Sequence, residues 1–383
     1  MLLGDLGADV IKVEPPEGDA TRGWGPPWVE RGGTRMAAYF LAVNRNKRSL
    51  RLDLATPEGA EILRRLLARA DVLVENFRPG TFSRLGFDDA ALSTLNPRLI
   101  HLAISGYGPT GPLARRPGYD FVIQAEAGLM SITGFPDEEG GRPTKVGVAI
   151  ADVVTGLQGA VALLAALAAR DRPAGPAAGM GQRIDTSIFE ATLAALVNQA
   201  QNALVGGRSP GRLGNAHPNI VPYETFATAD GEIAVAVGSE RQWRRFCTAI
   251  GLPELADDPR FASNGARVEH REALRAIIAH RLAREPSAVW LDRLVAAEVP
   301  SGAVADLLTA LTGPQAQALG SLQWVEHPVM GRLAQVGPAS RLSATPATVR
   351  RPPPLLGEHG AEILAEVGYD PQTIAELRRR GVV

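Results

Sequence analysis

Hydrophobic and polar positions divide the first third of the chain into alternating elements. Ser49–Leu54 (SLRLDL) alternates apolar and polar residues, the period of a half-buried strand. Asp9–Glu14 (DVIKVE), Ala70–Phe77 (ADVLVENF) and Leu99–Gly108 (LIHLAISGYG) are denser apolar runs, read as buried strands. Thr56-Pro57-Glu58 is a helix start: a capping hydroxyl, a proline at the first helical position and an acid in the first turn. That helix is predicted to run to about Ala70, with shorter ones at Phe82–Leu85 and Asp88–Leu95. Strand–helix–strand–helix–strand order predicts a parallel sheet with helices on its faces. Ligands of such sheets bind beyond the carboxyl ends of the strands, here Glu14–Pro16, Asn76–Gly80 and Gly106–Tyr119. Gly18–Thr34, rich in Gly, Pro and Trp, reads as a loop too long to be a mere connection.

Val146–Ala169 (VGVAIADVVTGLQGAVALLAALAA) breaks this rhythm. VGVAI has strand character, and the small apolar residues after it predict a buried helix. Asp152 is the only charged residue in the run and is expected where strand passes to helix. There it has two readings. A carboxylate at that turn caps the free N–H groups of the helix, which the pattern alone favours. A carboxylate shielded from water can instead attack an activated acyl group.

Asp120–Met130 is predicted helical, and Arg183–Leu204 predicts a strand and a long helix, with Asp185 as the helix cap. Near Gly206 the chain becomes a Gly/Pro-rich connector. Asp230-Gly231 then marks a hairpin, helices follow to about Leu311, a helix is expected near Gln317 and strands around Leu333 and Val336, and a last helix carries Arg378–Arg380 in its final turn. The expected organisation is a large domain over 1–205, a linker over 206–220, a smaller α/β domain over 221–311, and a return to the large domain over 312–383.

Composition narrows the function. Lys plus Arg is 40 and Asp plus Glu is 41, a balance that argues against nucleic acid as the main partner. One cysteine, Cys247, excludes an intrachain disulfide and fits a reducing cytoplasm; it reads as a core residue rather than a nucleophile. The apolar stretch near Leu157–Ala169 is short and Ala/Gly-rich for a membrane span. None of the six histidines stands at a metal-ligand spacing, so no metal is expected. His217 and His327, each beside a proline, read as structural.

MLLGDLGADVIKVEPP, NRNKRSLRLDL, DVLVENFRPG, SGYGPTGP, GYDFVIQAEAGLMSITG, VGVAIADVVTG and RPPPLLGEHG occur in this order along nearly the whole chain. Together they closely resemble the class III CoA-transferase family, which includes formyl-CoA transferase, carnitine CoA-transferase and α-methylacyl-CoA racemase. VEPPEGDATRGWGPP, IVPYETFATADG and RPPPLLGEHG look most like its dicarboxylate (succinate/glutarate) branch. The resemblance implies an α/β fold with a Rossmann-like large domain, a smaller α/β domain, and two chains interlocked in a homodimer. It implies Asp152 as catalytic nucleophile, forming a mixed anhydride with the acyl group and then an aspartyl-CoA thioester. It implies acyl-CoA and a carboxylic acid as substrates, with no permanently bound cofactor and no membrane.

Leu52, Asn76, Arg84 and Leu85 match positions lining the family's CoA site, and Tyr119 falls on its CoA and substrate side. Gly238 lies in the loop matching the family's mobile glycine-rich lid, although VGSERQ here has fewer glycines than formyl-CoA transferase. The family's racemases carry histidine where Tyr119 stands. Racemisation needs a proton donor and an acceptor on opposite faces of the carbon, so an α-methylacyl-CoA racemase-like isomerase ranks below a transferase. An inactive CoA-binding relative is the other alternative. Relatives have about one strand, a CoA-contacting loop and half a helix before the position of Met1, so either that part of the site lies upstream of the sequence given or this chain lacks it.

Overall fold

A computed structural model describes residues 1–383. The chain divides into two compact units. The first comprises Met1–Ile123, Ala151–Thr192 and Leu308–Val383; the second comprises Gln124–Ile150 and Leu193–Leu307.

In the first unit the predicted alternation produces parallel pairing. Strand Val72–Glu75 pairs with Ile100–Ser105, which pairs in turn with Arg183–Ser187, all parallel. Val10–Glu14 and Lys47–Arg51 form a separate parallel pair. The helix Pro57–Leu67 begins where its start signal stands: Thr56 Oγ1 accepts the Gly59 N–H at 3.0 Å, and Pro57 opens the helix. Ile62, Leu63 and Leu67 from its inner face pack with Leu50, Leu52, Phe82 and Leu99, and with Ile363 and Leu364 from the chain's end.

Lys47–Arg51 is more buried than its alternation predicts, because Arg48, Ser49 and Leu50 are all enclosed. Arg48 tolerates burial by pairing with Asp9, Glu362 and Glu366. Ser49 does so by donating to Glu14 at 2.6 Å. The 18–34 stretch is likewise more ordered than a loop. It holds a short 3-10 helix, Ala20–Gly23, capped by Asp19, and the first strand of the antiparallel hairpin Trp28–Arg31/Thr34–Ala37.

The helix Ile150–Arg170 is the longest element. Ala151, Thr155, Gly159, Leu163 and Ala166 form its buried face. Gly159 permits close approach to the sheet, since a Cβ there would lie 3.1 Å from Leu102. At 21 residues it is long and apolar enough to cross a membrane; at Gly159 it lies against Leu102 and Thr186 of the parallel sheet. Val153, Leu157, Val161 and Leu164 are exposed on its other side.

The second unit holds the three-stranded antiparallel sheet of Tyr223–Ala227, Glu232–Ala236 and Ser301–Ala303, with the predicted hairpin turn at Asp230-Gly231. Its core surrounds Phe226, Trp243, Phe246, Ile278 and Trp290. Cys247 is buried there, and burial pushes its thiol up to about 12, which leaves it protonated and unreactive.

Candidate active site

The approach to Asp152 is not the strand that VGVAI suggests. Val146–Ala149 is irregular, and the helix starts at Ile150. A buried glutamine side chain takes the place of a sheet neighbour. Gln124 accepts the Val146 N–H at 2.9 Å through Oε1 and turns its Nε2 toward the Val148 carbonyl at 3.5 Å. One N–H and one carbonyl that a ladder would have paired are thereby met without one.

Asp152 does not cap its helix either, because it lies inside the first turn. The cap comes from elsewhere in the sequence. Asp120 Oδ1 accepts the Ala151 N–H at 2.8 Å and the Asp152 N–H at 3.3 Å. Asp120 opens the helix Asp120–Glu126, which is shorter than predicted and followed by a 3-10 turn at Leu129–Ile132. The Ile123 side chain on that helix is fully buried, which holds Asp120 in place.

Because Asp120 supplies the cap, the Asp152 carboxylate is not the acceptor of the first N–H groups of its helix. It is exposed in the single chain, yet protein crowds it on enough sides to weaken its hydration. Desolvation is the larger cause and the Asp120 charge the second; together they raise the Asp152 carboxyl from an ordinary 3.8 to about 6. The Tyr39 phenol is also raised, first by desolvation and then by the charges of Asp152 and Asp120. Tyr39, on the helix Ala38–Val43, stacks edge-on against Trp24 with ring centres 5.0 Å apart.

The sequence reading missed Tyr39 and the part played by Asp120. Tyr39 stands in an apolar stretch with no motif. Asp120 sits at a helix start, where an aspartate is unremarked.

Leu52 and Asn76 directly follow the parallel strands Lys47–Arg51 and Val72–Glu75, the position expected of ligand-facing residues. Leu52 is 1% exposed, so only its backbone can face a ligand. Asn76 is exposed, and Glu75 beside it accepts the Phe77 N–H at 2.6 Å, fixing the turn. Arg84 is exposed at the end of the helix Thr81–Arg84, where its guanidinium donates to Thr81 of its own turn at 2.9 Å; Leu85 packs against the core. Tyr119 is 71% exposed and immediately precedes Asp120.

Gly238 belongs to the second unit. Its N–H donates to Gln242 Oε1 at 2.9 Å, while Ser239 caps the next helix. The VGSERQ loop is therefore tied to the helix it leads into.

Other residues weighed in the sequence have structural roles. Asp185 is no helix cap: it lies within its strand and pairs with Arg183, while Ser187 Oγ accepts the Glu190 N–H at 3.1 Å. His327 Nδ1 accepts the N–H groups of Val329 and Met330, and His217 Nδ1 accepts that of Asn219, so both histidines build turns.

An α/β enzyme with two adjoining carboxylates and a crowded, raised aspartate at a helix start is the class these observations define. Residues 1–360 match the profile described as CoA-transferase family III. The chain belongs to that family and is an enzyme that moves CoA from an acyl-CoA to a carboxylic acid.

It is 45% identical over 369 residues to a succinate–glutarate CoA-transferase of Agrobacterium fabrum, covering 96% of this chain and 90% of the relative. It is 41% identical to the human succinyl-CoA:glutarate CoA-transferase, covering 100% and 85%. Its fold is similar to the crystal structure of a CAIB/BAIF family protein from Brucella suis, with a TM-score of 0.81 and 44% identity, covering 96% of this chain and 93% of that one.

Proposed function

We propose that the chain transfers CoA between dicarboxylic acids, with succinate and glutarate as the first pair to test, and that Asp152 is the nucleophile. The observation that carries the reading is the Asp152 carboxylate itself. It stands at the exposed start of the central helix, relieved of the capping role and raised to about 6.

The steps follow from carboxylate chemistry. An Asp152 oxygen attacks the acyl-CoA carbonyl, the C–S bond breaks, and CoA leaves as a thiolate, giving a mixed anhydride. The thiolate attacks the Asp152 side-chain carbonyl, releasing the first acid and leaving an aspartyl-CoA thioester. The acceptor carboxylate attacks that carbonyl and expels CoA thiolate, forming a second anhydride. The thiolate then attacks the acceptor's carbonyl, which yields the new acyl-CoA and frees Asp152. Each exchange is an acyl transfer between activated carbonyls, so no redox group or resident cofactor is required.

Asn76, Arg84, Leu85 and Tyr119, with the Leu52 backbone, are assigned to CoA. Arg84 suits a phosphate because its guanidinium is exposed and bonds to Thr81 through one nitrogen, leaving other N–H groups for a ligand. Gly238 is assigned to the loop covering the substrate. The parallel strands of the first unit are read as a Rossmann-like CoA-binding domain. The single buried thiol of Cys247 fits the cytoplasm.

The exposed apolar row Val153, Leu157, Val161 and Leu164 is larger than scattered surface residues need. We assign it to the second copy of an interlocked homodimer. Light scattering is expected to give twice the chain mass; a monomer contradicts the assignment.

Incubation with succinyl-CoA and glutarate is expected to yield glutaryl-CoA and succinate. Exchange of the acyl α-proton with solvent when no acceptor acid is present contradicts the transferase mechanism.

A further inference from the structure

The start of the Ile150–Arg170 helix holds its free N–H groups in an unusual way. Such a terminus normally offers them to a nearby anion and lowers that anion's proton affinity. Here Ile150 donates to the Val148 carbonyl at 2.8 Å. Ala151 and Asp152 donate to one oxygen of Asp120. The helix spends its terminus on Asp120, a residue remote in sequence and fixed by the buried Ile123 one turn on.

We propose that Asp120 is a positioning residue for CoA transfer: by occupying the N–H groups at the start of the Ile150–Arg170 helix, it presents Asp152 to the thioester as an uncapped, basic carboxylate. The inference rests on Asp152 being the nucleophile. In the step concerned, an Asp152 oxygen bonds to the acyl carbon, the C–S bond breaks, and CoA departs as thiolate. A carboxylate steadied by helix N–H groups is a weaker base and a weaker nucleophile in that step. Asp120 acts twice. It removes those N–H groups from Asp152, and its charge opposes loss of the Asp152 proton. The titrating groups around Asp152 are Asp120 and the Tyr39 phenol, whose proton both carboxylates help retain.

The test is the pH dependence of Asp152 acylation, followed in the whole protein by mass spectrometry after succinyl-CoA and hydroxylamine. Asp120→Asn keeps an oxygen that can accept the two N–H bonds but removes the charge. Its acid limb is expected to move down by roughly half a pH unit or more, with the KM for succinyl-CoA unchanged within about twofold. Asp120→Ala also frees the helix N–H groups, and its acylation rate at neutral pH is expected to fall by about tenfold or more at an unchanged KM.

An unmoved acid limb in Asp120→Asn overturns the proposal. An acylation rate in folded Asp120→Ala within about twofold of the native rate also overturns it; if that variant fails to fold, the Asp120→Asn profile decides alone. Failure of the unsubstituted protein to acylate Asp152 at all is a different result, because it removes the nucleophile on which the inference stands.

Discussion

Glu14 and Asp152 are carboxylates with opposite fates in the same unit. Glu14 ends a parallel strand and is 1% exposed, while Asp152 is open to solvent in the single chain. Burial alone would make Glu14 the harder to ionise. Burial does push its pKa up, but two Arg22 bonds at 2.8 Å and the Ser49 hydroxyl outweigh it and hold the carboxyl below its ordinary range. Asp152 has no such partners among its causes of shift. Crowding and the Asp120 charge act in one direction and raise it to about 6. Partners, more than depth, decide which carboxylate is held ionised and which is held basic.

The sharpest way to break this contrast is to remove the proposed nucleophile. Asp152→Ala is expected to lower transfer by about a thousandfold or more, as loss of a nucleophile does. The fold should survive, because the cap on that helix is Asp120. Circular dichroism and a transfer assay on the same sample check both halves.

Removing the partner of Glu14 comes next. Arg22→Met leaves the Glu14 charge buried without its guanidinium and is expected to cost ~3–5 kcal/mol in urea unfolding. A loss under ~1 kcal/mol would mean that Ser49 and the Asp19 N–H suffice alone.

pH separates the two groups. Acyl transfer is expected to fall about tenfold per unit below the Asp152 value of about 6, as the nucleophile protonates. The effects on stability have opposite signs. The raised Asp152 takes up a proton in the folded state before the unfolded chain does, so its unfavourable contribution is present above about 6 and is relieved as pH falls toward 3.8. The lowered Glu14 stabilises at pH values above its ordinary 4.5, and that contribution is lost as pH falls through its lower folded value. Unfolding free energies measured across this range should therefore not fall in Asp152→Asn relative to the native chain at neutral pH.

The smallest expected effect is at Thr56, a local cap where Asp120 is a remote one. Thr56→Ala should cost ~1 kcal/mol of stability and leave the transfer rate unchanged.

What was legible in the sequence was local. Thr56-Pro57-Glu58 announces its helix because cap, proline and acid act within one turn. Asp230-Gly231 announces its hairpin for the same reason. VGVAI misled because its apolar spacing suits a strand, while the Gln124 side chain, far upstream, supplies the bonds that a neighbouring strand would have given. Ser49 reads as a polar position of a half-buried strand because its partner Glu14 lies elsewhere in the chain, and the partners that let its neighbour Arg48 be buried, Asp9, Glu362 and Glu366, are equally remote.

At the site, Asp152 stood out as a lone charge in an apolar run. Its capping alternative could be settled only by seeing Asp120 in that role. Tyr39 could not be found at all, because its link to Asp152 and Asp120 exists only in the folded unit.

The most direct measurement is mass spectrometry of the protein mixed with succinyl-CoA and hydroxylamine in the absence of acceptor acid. Covalent acyl transfer through the aspartate predicts a hydroxamate on the peptide carrying Asp152, absent when succinyl-CoA is omitted. Turnover of succinyl-CoA with Asp152 unmodified, or modification at another residue, would contradict it.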